Sequence, residues 1–301
     1  MGPIWGIDLG GTKIEGVILE DRETPNVLKR LRIPTESGKG YTHIIQQISN
    51  LVEVLTAETG IRPDKIGVGA PGTLEPSTQL MKNCNTTCLN GMPLKRDIEK
   101  AISIPISIAN DANCFAIAET HLGVVKEKVP DAKVVFGIIM GTGVGGGLVV
   151  NGKIITGKHG IGGEWGHTFG DHSAGECYCG KFGCVEQIIS GPALEAFYKN
   201  QMGVPLKLKE ILKNYHEGDD EVATKTIYRL LKFFGIALSN VINVIDPDVV
   251  VLGGGLGKID LLYTEGHWEV EKNVFNDSLE TLFLKPKLGD SAGVFGAALL
   301  E

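Results

Sequence analysis

The 301-residue chain predicts an α/β protein with two related lobes. Three observations lead there. The length suits two domains of ordinary size. Apolar strand-like runs alternate with helical segments in both halves, the pattern of layered α/β folds. A strand, a glycine-rich turn with Thr and a second strand occur together twice, as WGIDLGGTKIEGVILE at 5–20 and VFGIIMGTGVGGGLVVNGKII at 135–155. The two copies lie about 130 residues apart, which suggests a duplicated unit.

Between and beyond these copies the elements follow in order. Residues 41–59 place Ile44, Ile45, Ile48, Leu51, Val52 and Leu55 on one helical face, and Gly60 is a C-cap candidate. KIGVGAPG at 65–72 is a buried strand entering a turn. Residues 94–103 read as a helix. ISIAND at 106–111 is a strand ending in two polar residues, and ANCFAIAETHLG continues as a helix. In the second copy Asn151-Gly152 is a strong hairpin signal. Residues 221–245 form a long apolar helix. DPDVVVLGGG at 246–255 is a turn, a buried strand and a glycine loop, and SAGVFGAALL at 291–300 is a closing small-residue helix.

Apolar residues make up 43% of the chain and charged residues 22%, as in soluble globular proteins. A formal charge of −7 with scattered Lys and Arg disfavours nonspecific nucleic-acid binding. The amino-terminal MGPIWGIDLGG lacks the charged and apolar regions of a signal peptide. The weakly polar stretch 134–150 is short for a membrane span and holds six glycines, so strands and a turn are expected there. A cytoplasmic protein is the expectation, with its thiols reduced.

The glycine loops raise the question of phosphate binding. GTGVGG at 141–146 matches G-x-G-x-x-G, and Glu164 lies about 20 residues on, as in a dinucleotide fingerprint. That fingerprint must open a helix, and strand, turn and strand follow here. No GK[ST] closes a glycine run, which excludes a P-loop. Gly-Thr turns between strands still present backbone N–H groups to anions, and a Thr hydroxyl adds a donor. A plain tight hairpin is the alternative for any one loop; two such loops, with GGGL at 253–256, favour phosphate. Asp8 precedes the first loop inside an apolar strand. Magnesium bridging to phosphates would account for a carboxylate there, and a turn-capping role is the alternative.

SIANDAN at 107–113 sets Asn110 and Asp111 at the carboxyl end of a buried strand, where ligands of open α/β sheets often sit. Asp111 could simply cap the following helix. It could instead be the general base that takes a hydroxyl proton during phosphoryl transfer, with Asn110 holding a neighbouring hydroxyl.

ECYCGKFGCVEQ at 176–187 packs Cys177, Cys179 and Cys184 into eight positions. The spacing is not C-x-x-C, so a thioredoxin-like pair is disfavoured. Three thiolates lack one ligand for tetrahedral zinc, and His167 in EWGH is the nearest upstream candidate. Cys3His leaves no open position, so such zinc is structural, which disfavours a zinc hydrolase. A reduced, metal-free loop is the other reading. Cys84, Cys88 and Cys114 show no such clustering and read as buried or incidental residues.

Taken together, DLGGTK (8–13), GAPG (69–72), NDAN (110–113), GTGVGGG (141–147), EWGH and CYCGKFGCVE resemble the ROK family of sugar kinases and repressors, in order across nearly the whole chain. The resemblance implies a two-lobed actin-like ATPase (ribonuclease H-like) fold with a structural zinc loop. It implies a small lobe at 1–116 completed by 287–301, a large lobe at 117–286 carrying the zinc loop, and a cleft that closes. ATP is then expected at Asp8, Gly10, Gly11, Thr12, Lys13, Gly141, Thr142, Gly143, Gly254 and Gly255, with magnesium organised by Asp8. The sugar is expected at Gly72, Asn110, Asp111, Glu164, His167 and Glu186, with Asp111 as base. Zinc on His167, Cys177, Cys179 and Cys184 would fix the tautomer and angle of a sugar-binding histidine. A homodimer is the family expectation.

The stretches at 82–94 and 249–263, with EWGH and CYCGKFGC, resemble the bacterial fructokinase (manno-fructokinase) branch; NDANCFA, GTGVGGGL and NGKIITGK also match the N-acetylglucosamine kinase branch. Cys84 and Cys88 depart from the Ala and Trp that the fructokinase branch tends to carry. The expected activity is transfer of the γ-phosphate of ATP to the 6-hydroxyl of a hexose, fructose first, with N-acetylglucosamine or glucose as alternatives. A sugar-sensing regulator without turnover is the rival of another class; the absence of a helix-turn-helix segment ahead of the first phosphate strand weighs against it.

Overall fold

The computed structural model describes residues 2–300. Contacts divide the chain into two compact units, Met1–Asp131 with Gly147–Gly163 and Pro286–Glu301, and Ala132–Gly146 with Glu164–Lys285.

The first unit opens with strands β1 (Ile4–Leu9), β2 (Lys13–Leu19) and β3 (Val27–Pro34), followed by helix α1 (Tyr41–Thr59). Strand β4 (Ile66–Ala70), a two-residue ribbon β5 (Thr73–Leu74) and β6 (Met81–Lys82), helix α2 (Leu94–Ile102) and strand β7 (Ile106–Asn110) follow. Helices α3 (Asp111–His121) and α4 (Val124–Lys128) leave its far edge. The sheet order is β3-β2-β1-β4-β7, with β1 antiparallel to β2 and parallel to β4. Helix α1 buries Ile44, Ile48, Leu51, Val52 and Leu55, the stripe its 3.6-residue period predicts, while Ile45 is only partly buried. Gly60 ends it in the left-handed region at φ 69°.

The second sheet begins with β8 (Val134–Met140), β9 (Val144–Val150) and β10 (Lys153–Ile154). Asn151 and Gly152 both have positive φ, 49° and 73°, as a two-residue hairpin of the primed type requires. The chain passes out of the second unit within β9, after Gly146. Helices α5 (Glu186–Ile189), α6 (Gly191–Met202), α7 (Leu208–Glu217) and α8 (Glu221–Ile245) precede β11 (Val249–Gly253), α9 (Glu265–Glu271) and β12 (Leu282–Leu284). The order is β10-β9-β8-β11-β12, with β8, β11 and β12 parallel. Counted in its own chain order, each sheet runs third, second, first, fourth, fifth, so the repeated strand–turn–strand motif belongs to a repeated sheet. Among the described residues α8 is the one helix long and apolar enough to cross a membrane, but half of that window is buried, and it packs against α5, α6, α7 and α9.

The chain returns to the first unit with α10 (Ala292–Ala298). A Cβ on Gly6 or Gly67 would overlap the backbone of α10, so these two glycines let the helix lie directly on β1 and β4. Residues 117–131 and 147–163, assigned to the second lobe on sequence grounds, make their contacts with the first unit because α3 packs on α10 and β10.

Candidate active site and metal centre

In the first unit β1, β4 and β7 run parallel, so their carboxyl ends emerge on one edge of the sheet. Asp8 lies beside Gly69, and Ala70 beside Asn110. The loop after β1 is turned inside out with respect to its carbonyls. Gly10 N–H donates to Lys13 O at 2.9 Å. Thr35 N–H donates to Thr12 O at 3.0 Å, Thr35 Oγ1 to Gly10 O at 2.6 Å and Ser37 Oγ to Gly11 O at 3.0 Å. With those carbonyls held from behind, the N–H groups of Gly11 and Thr12 have no acceptor among the described residues. Gly11, Thr12 and Lys13 are exposed. This arrangement suits an anion.

Asn110, not Asp111, caps α3: its Oδ1 accepts from Ala112 N–H at 2.9 Å, and its Nδ2 donates to Gly72 O at 3.1 Å. Gly72 has φ 75°, and a Cβ there would meet Cys84 Sγ at 2.6 Å, which puts Cys84 directly behind this turn. Asp111 Oδ1 also accepts from Ala112 N–H, at 2.8 Å. Its side chain is accessible yet closely surrounded by protein. Loss of bulk water raises its pKa, against the pull of the Ala112 and Asp111 N–H groups. Asp8 is pushed up to about 6, first by burial, then by the negative charges of Asp111 and Glu15; Lys13 and Arg32 oppose this. Glu15 is itself buried and paired with Arg30 and, at 2.7 Å, with Arg32. Two carboxylates that repel each other beside a phosphate-type loop form a place where a divalent cation lowers the energy.

In the second unit the glycine turns after β8 and β11 meet. Gly141 N–H donates to Gly143 O and Gly191 N–H to Gly141 O, both at 2.9 Å. Gly254, at φ 77°, lies so close to Met140 that any side chain would collide with that backbone. Thr142 is exposed. The amino terminus of α6, capped by Ser190, is tied to the Gly141 turn and brings the positive end of a helix dipole to it. Glu186 is buried at the start of α5, and its Oε2 accepts from Val144 N–H at 2.9 Å. A Cβ on Gly143 would sit 2.7 Å from that same oxygen.

The sulfurs of Cys177, Cys179 and Cys184 and a ring nitrogen of His167 all lie within 4.8 Å of one another. His167 Nδ1 is 3.7 Å from Cys177 Sγ, and Cys179 Sγ is 3.6 Å from Cys184 Sγ. A tetrahedral ion with zinc–sulfur bonds of about 2.3 Å holds its sulfurs about 3.8 Å apart, so the donor set and its spacing fit zinc. The other ring nitrogen, Nε2, is 3.0 Å from Tyr178 Oη. Glu164 opens the 3-10 turn Trp165–His167, which Trp165 anchors through Nε1–H to Gly145 O at 3.0 Å.

The structure thus gathers Asp8, the 10–13 loop, Gly72, Asn110 and Asp111 on one sheet edge of the first unit. In the second unit it gathers the 141–143 and 254–255 turns with Glu186, and His167 with the three cysteines. The sequence reading missed Thr35, Ser37, Tyr178 and the α6 terminus. Only the last had a local signal, Ser190-Gly191-Pro192, a cap residue followed by an early proline.

The sequence pattern of the ROK family matches residues 4–301. The chain belongs to the ROK family. A curated relative from Aliivibrio fischeri, an N-acetyl-D-glucosamine kinase, is 35% identical and covers 99% of this chain and 98% of its own length. Among solved structures, the ROK hexokinase of Thermus thermophilus matches at 30% identity with a TM-score of 0.86, covering 99% of this chain and 97% of that one. A ROK glucokinase of Streptomyces griseus, solved with glucose and AMPPNP, matches at 25% identity and a TM-score of 0.75, covering 99% and 98%. The two-sheet α/β architecture is the actin-like, ribonuclease H-like ROK fold.

Proposed function

We propose that this ROK protein is an ATP-dependent sugar kinase whose substrate is N-acetyl-D-glucosamine, phosphorylated on its 6-hydroxyl. The observation that carries the reading is the full-length similarity to an N-acetyl-D-glucosamine kinase. Fructose, expected from the stretches at 82–94 and 249–263 with EWGH and CYCGKFGC, gives way because those are local likenesses and this one spans the chain.

On the first unit, Asp111 takes the proton of the attacking hydroxyl. Its raised pKa makes the carboxylate a readier acceptor. Asn110, braced between Gly72 and Ala112, holds a neighbouring hydroxyl. Gly10, Gly11, Thr12 and Lys13 bind phosphate, and Asp8 organises magnesium. On the second unit, Gly141, Thr142, Gly143, Gly254 and Gly255 take the nucleotide. Glu164, His167 and Glu186 take sugar hydroxyls. Zinc held by His167, Cys177, Cys179 and Cys184 supplies rigidity: four filled positions leave none for substrate. The protein works in the cytoplasm as a homodimer, which sedimentation reads directly.

The test is ADP release with magnesium-ATP against N-acetylglucosamine, fructose, mannose and glucose. We expect the highest kcat/KM with N-acetylglucosamine. A higher value for another hexose moves the specificity and keeps the mechanism. No turnover on any, with the protein folded and zinc-loaded, overturns the kinase reading.

A further inference from the structure

The zinc loop carries a side chain that neither binds the metal nor packs in a core. Tyr178 lies between two of the cysteines and is 74% exposed. Its hydroxyl nevertheless turns in, to 3.0 Å from His167 Nε2, with the two rings edge-on at 5.3 Å between centroids. The Tyr178 hydroxyl is therefore bonded to one of the three residues to which the proposed function assigns sugar hydroxyls. The backbone beneath it is fixed: Cys177 N–H donates to Lys181 O at 2.8 Å and Gly180 N–H to Cys177 O at 2.9 Å. The ring on top is held by one hydrogen bond and one edge contact.

We propose that Tyr178 is an affinity-setting residue of the sugar site: its hydroxyl holds the hydrogen bond that His167 Nε2 offers a sugar hydroxyl, and the ring swings into solvent when sugar binds. A metal on Nδ1 leaves the imidazole proton on Nε2, so the histidine has one N–H to give. Tyr178 accepts it in the free protein; a sugar hydroxyl accepts it in the complex. The ring's exposure makes the exchange cheap, since few packing contacts are lost. Every sugar molecule must still displace a hydrogen bond already made. This inference rests on the assignment of His167 to the sugar site.

The experiment is calorimetric binding of N-acetylglucosamine without nucleotide to wild type, Tyr178→Phe and Tyr178→Ala, with zinc content and thermal stability measured on each. Removing a competing neutral hydrogen bond should tighten binding roughly 2- to 10-fold in Tyr178→Phe, with zinc content unchanged. Tyr178→Ala should bind at least as tightly as Tyr178→Phe. Unchanged or weaker binding in Tyr178→Phe, while wild type binds, overturns the inference alone; weakening would make Tyr178 a direct sugar contact. No binding to any of the three proteins removes N-acetylglucosamine as the substrate and this inference with it, and leaves the kinase reading to the turnover panel.

Discussion

Gly143→Ala tests whether the glycine turn and the carboxylate proposed to hold sugar, Glu186, are one device. Gly143 does not have positive φ, so alanine strains no backbone there. The new Cβ would lie 2.7 Å from Glu186 Oε2, whereas ordinary contact begins at 3.4 Å. The carboxylate must retreat by about 0.7 Å. Its bond to Val144 N–H, now 2.9 Å, then stretches beyond hydrogen-bonding range. Glu186 is 8% exposed, so water cannot readily replace the lost partner. A hydrogen bond to a charged acceptor contributes about 1.5–3 kcal/mol. For a protein of this size that lowers Tm by roughly 2–5 °C. If binding sugar requires restoring the carboxylate, the same energy raises KM for sugar by roughly 10- to 150-fold as an upper limit. The assays are thermal unfolding without ligands and steady-state kinetics with N-acetylglucosamine varied. Gly255→Ala is the stability control, because a Cβ there meets nothing within 4 Å. A Gly143→Ala protein with wild-type Tm and wild-type KM would refute the claimed coupling.

Three further outcomes are expected. Asp111→Asn should keep sugar binding by calorimetry and lose about 10²- to 10⁴-fold in kcat; full turnover removes Asp111 from the mechanism. Elemental analysis should find one zinc per chain, and Cys179→Ser or chelation should lower Tm and weaken sugar binding together; undamaged protein without zinc ends the clamp proposal. Asp8, with its pKa raised from 3.8 to about 6, is protonated in the folded state where the unfolded chain is already ionised. Its ionisation penalises the fold increasingly as pH rises from about 4 to 6. Without magnesium, Asp8→Asn should therefore gain stability over wild type across that window in melts taken at successive pH values, and a constant difference contradicts the assignment.

What was legible in the sequence was carried by short-range pattern. The helix at 41–59 and the helix at 221–245 show their bounds through apolar period, a glycine stop or a turn. Asn151-Gly152 declares its hairpin because few residues tolerate two successive positive φ angles. By contrast β3 is an edge strand studded with Lys and Arg, and β12 has three residues; neither offers enough pattern to read, and both are defined by the neighbours they pair with. In the site, the cysteine spacing and nearby His167 pointed to the cluster that the fold brings together, because all four fall within 18 residues.

By itself, then, the sequence determined the α/β class, the duplicated motif, the grouping of His167 with three cysteines and the polar pair at the end of β7. Each is written within one element or one loop. The tertiary structure decided the rest. It turned the carbonyls of the first glycine loop inward through Thr35 and Ser37, over 20 residues downstream. It set Glu186 against Gly143 and put Cys84 behind Gly72. It raised the pKa of Asp8 first by withdrawing the carboxyl from water and then by bringing Asp111 and Glu15 near it. These are through-space effects. Coulomb repulsion, desolvation and van der Waals contact depend on distance in the folded chain, and that distance is set only when the sheets and helices pack.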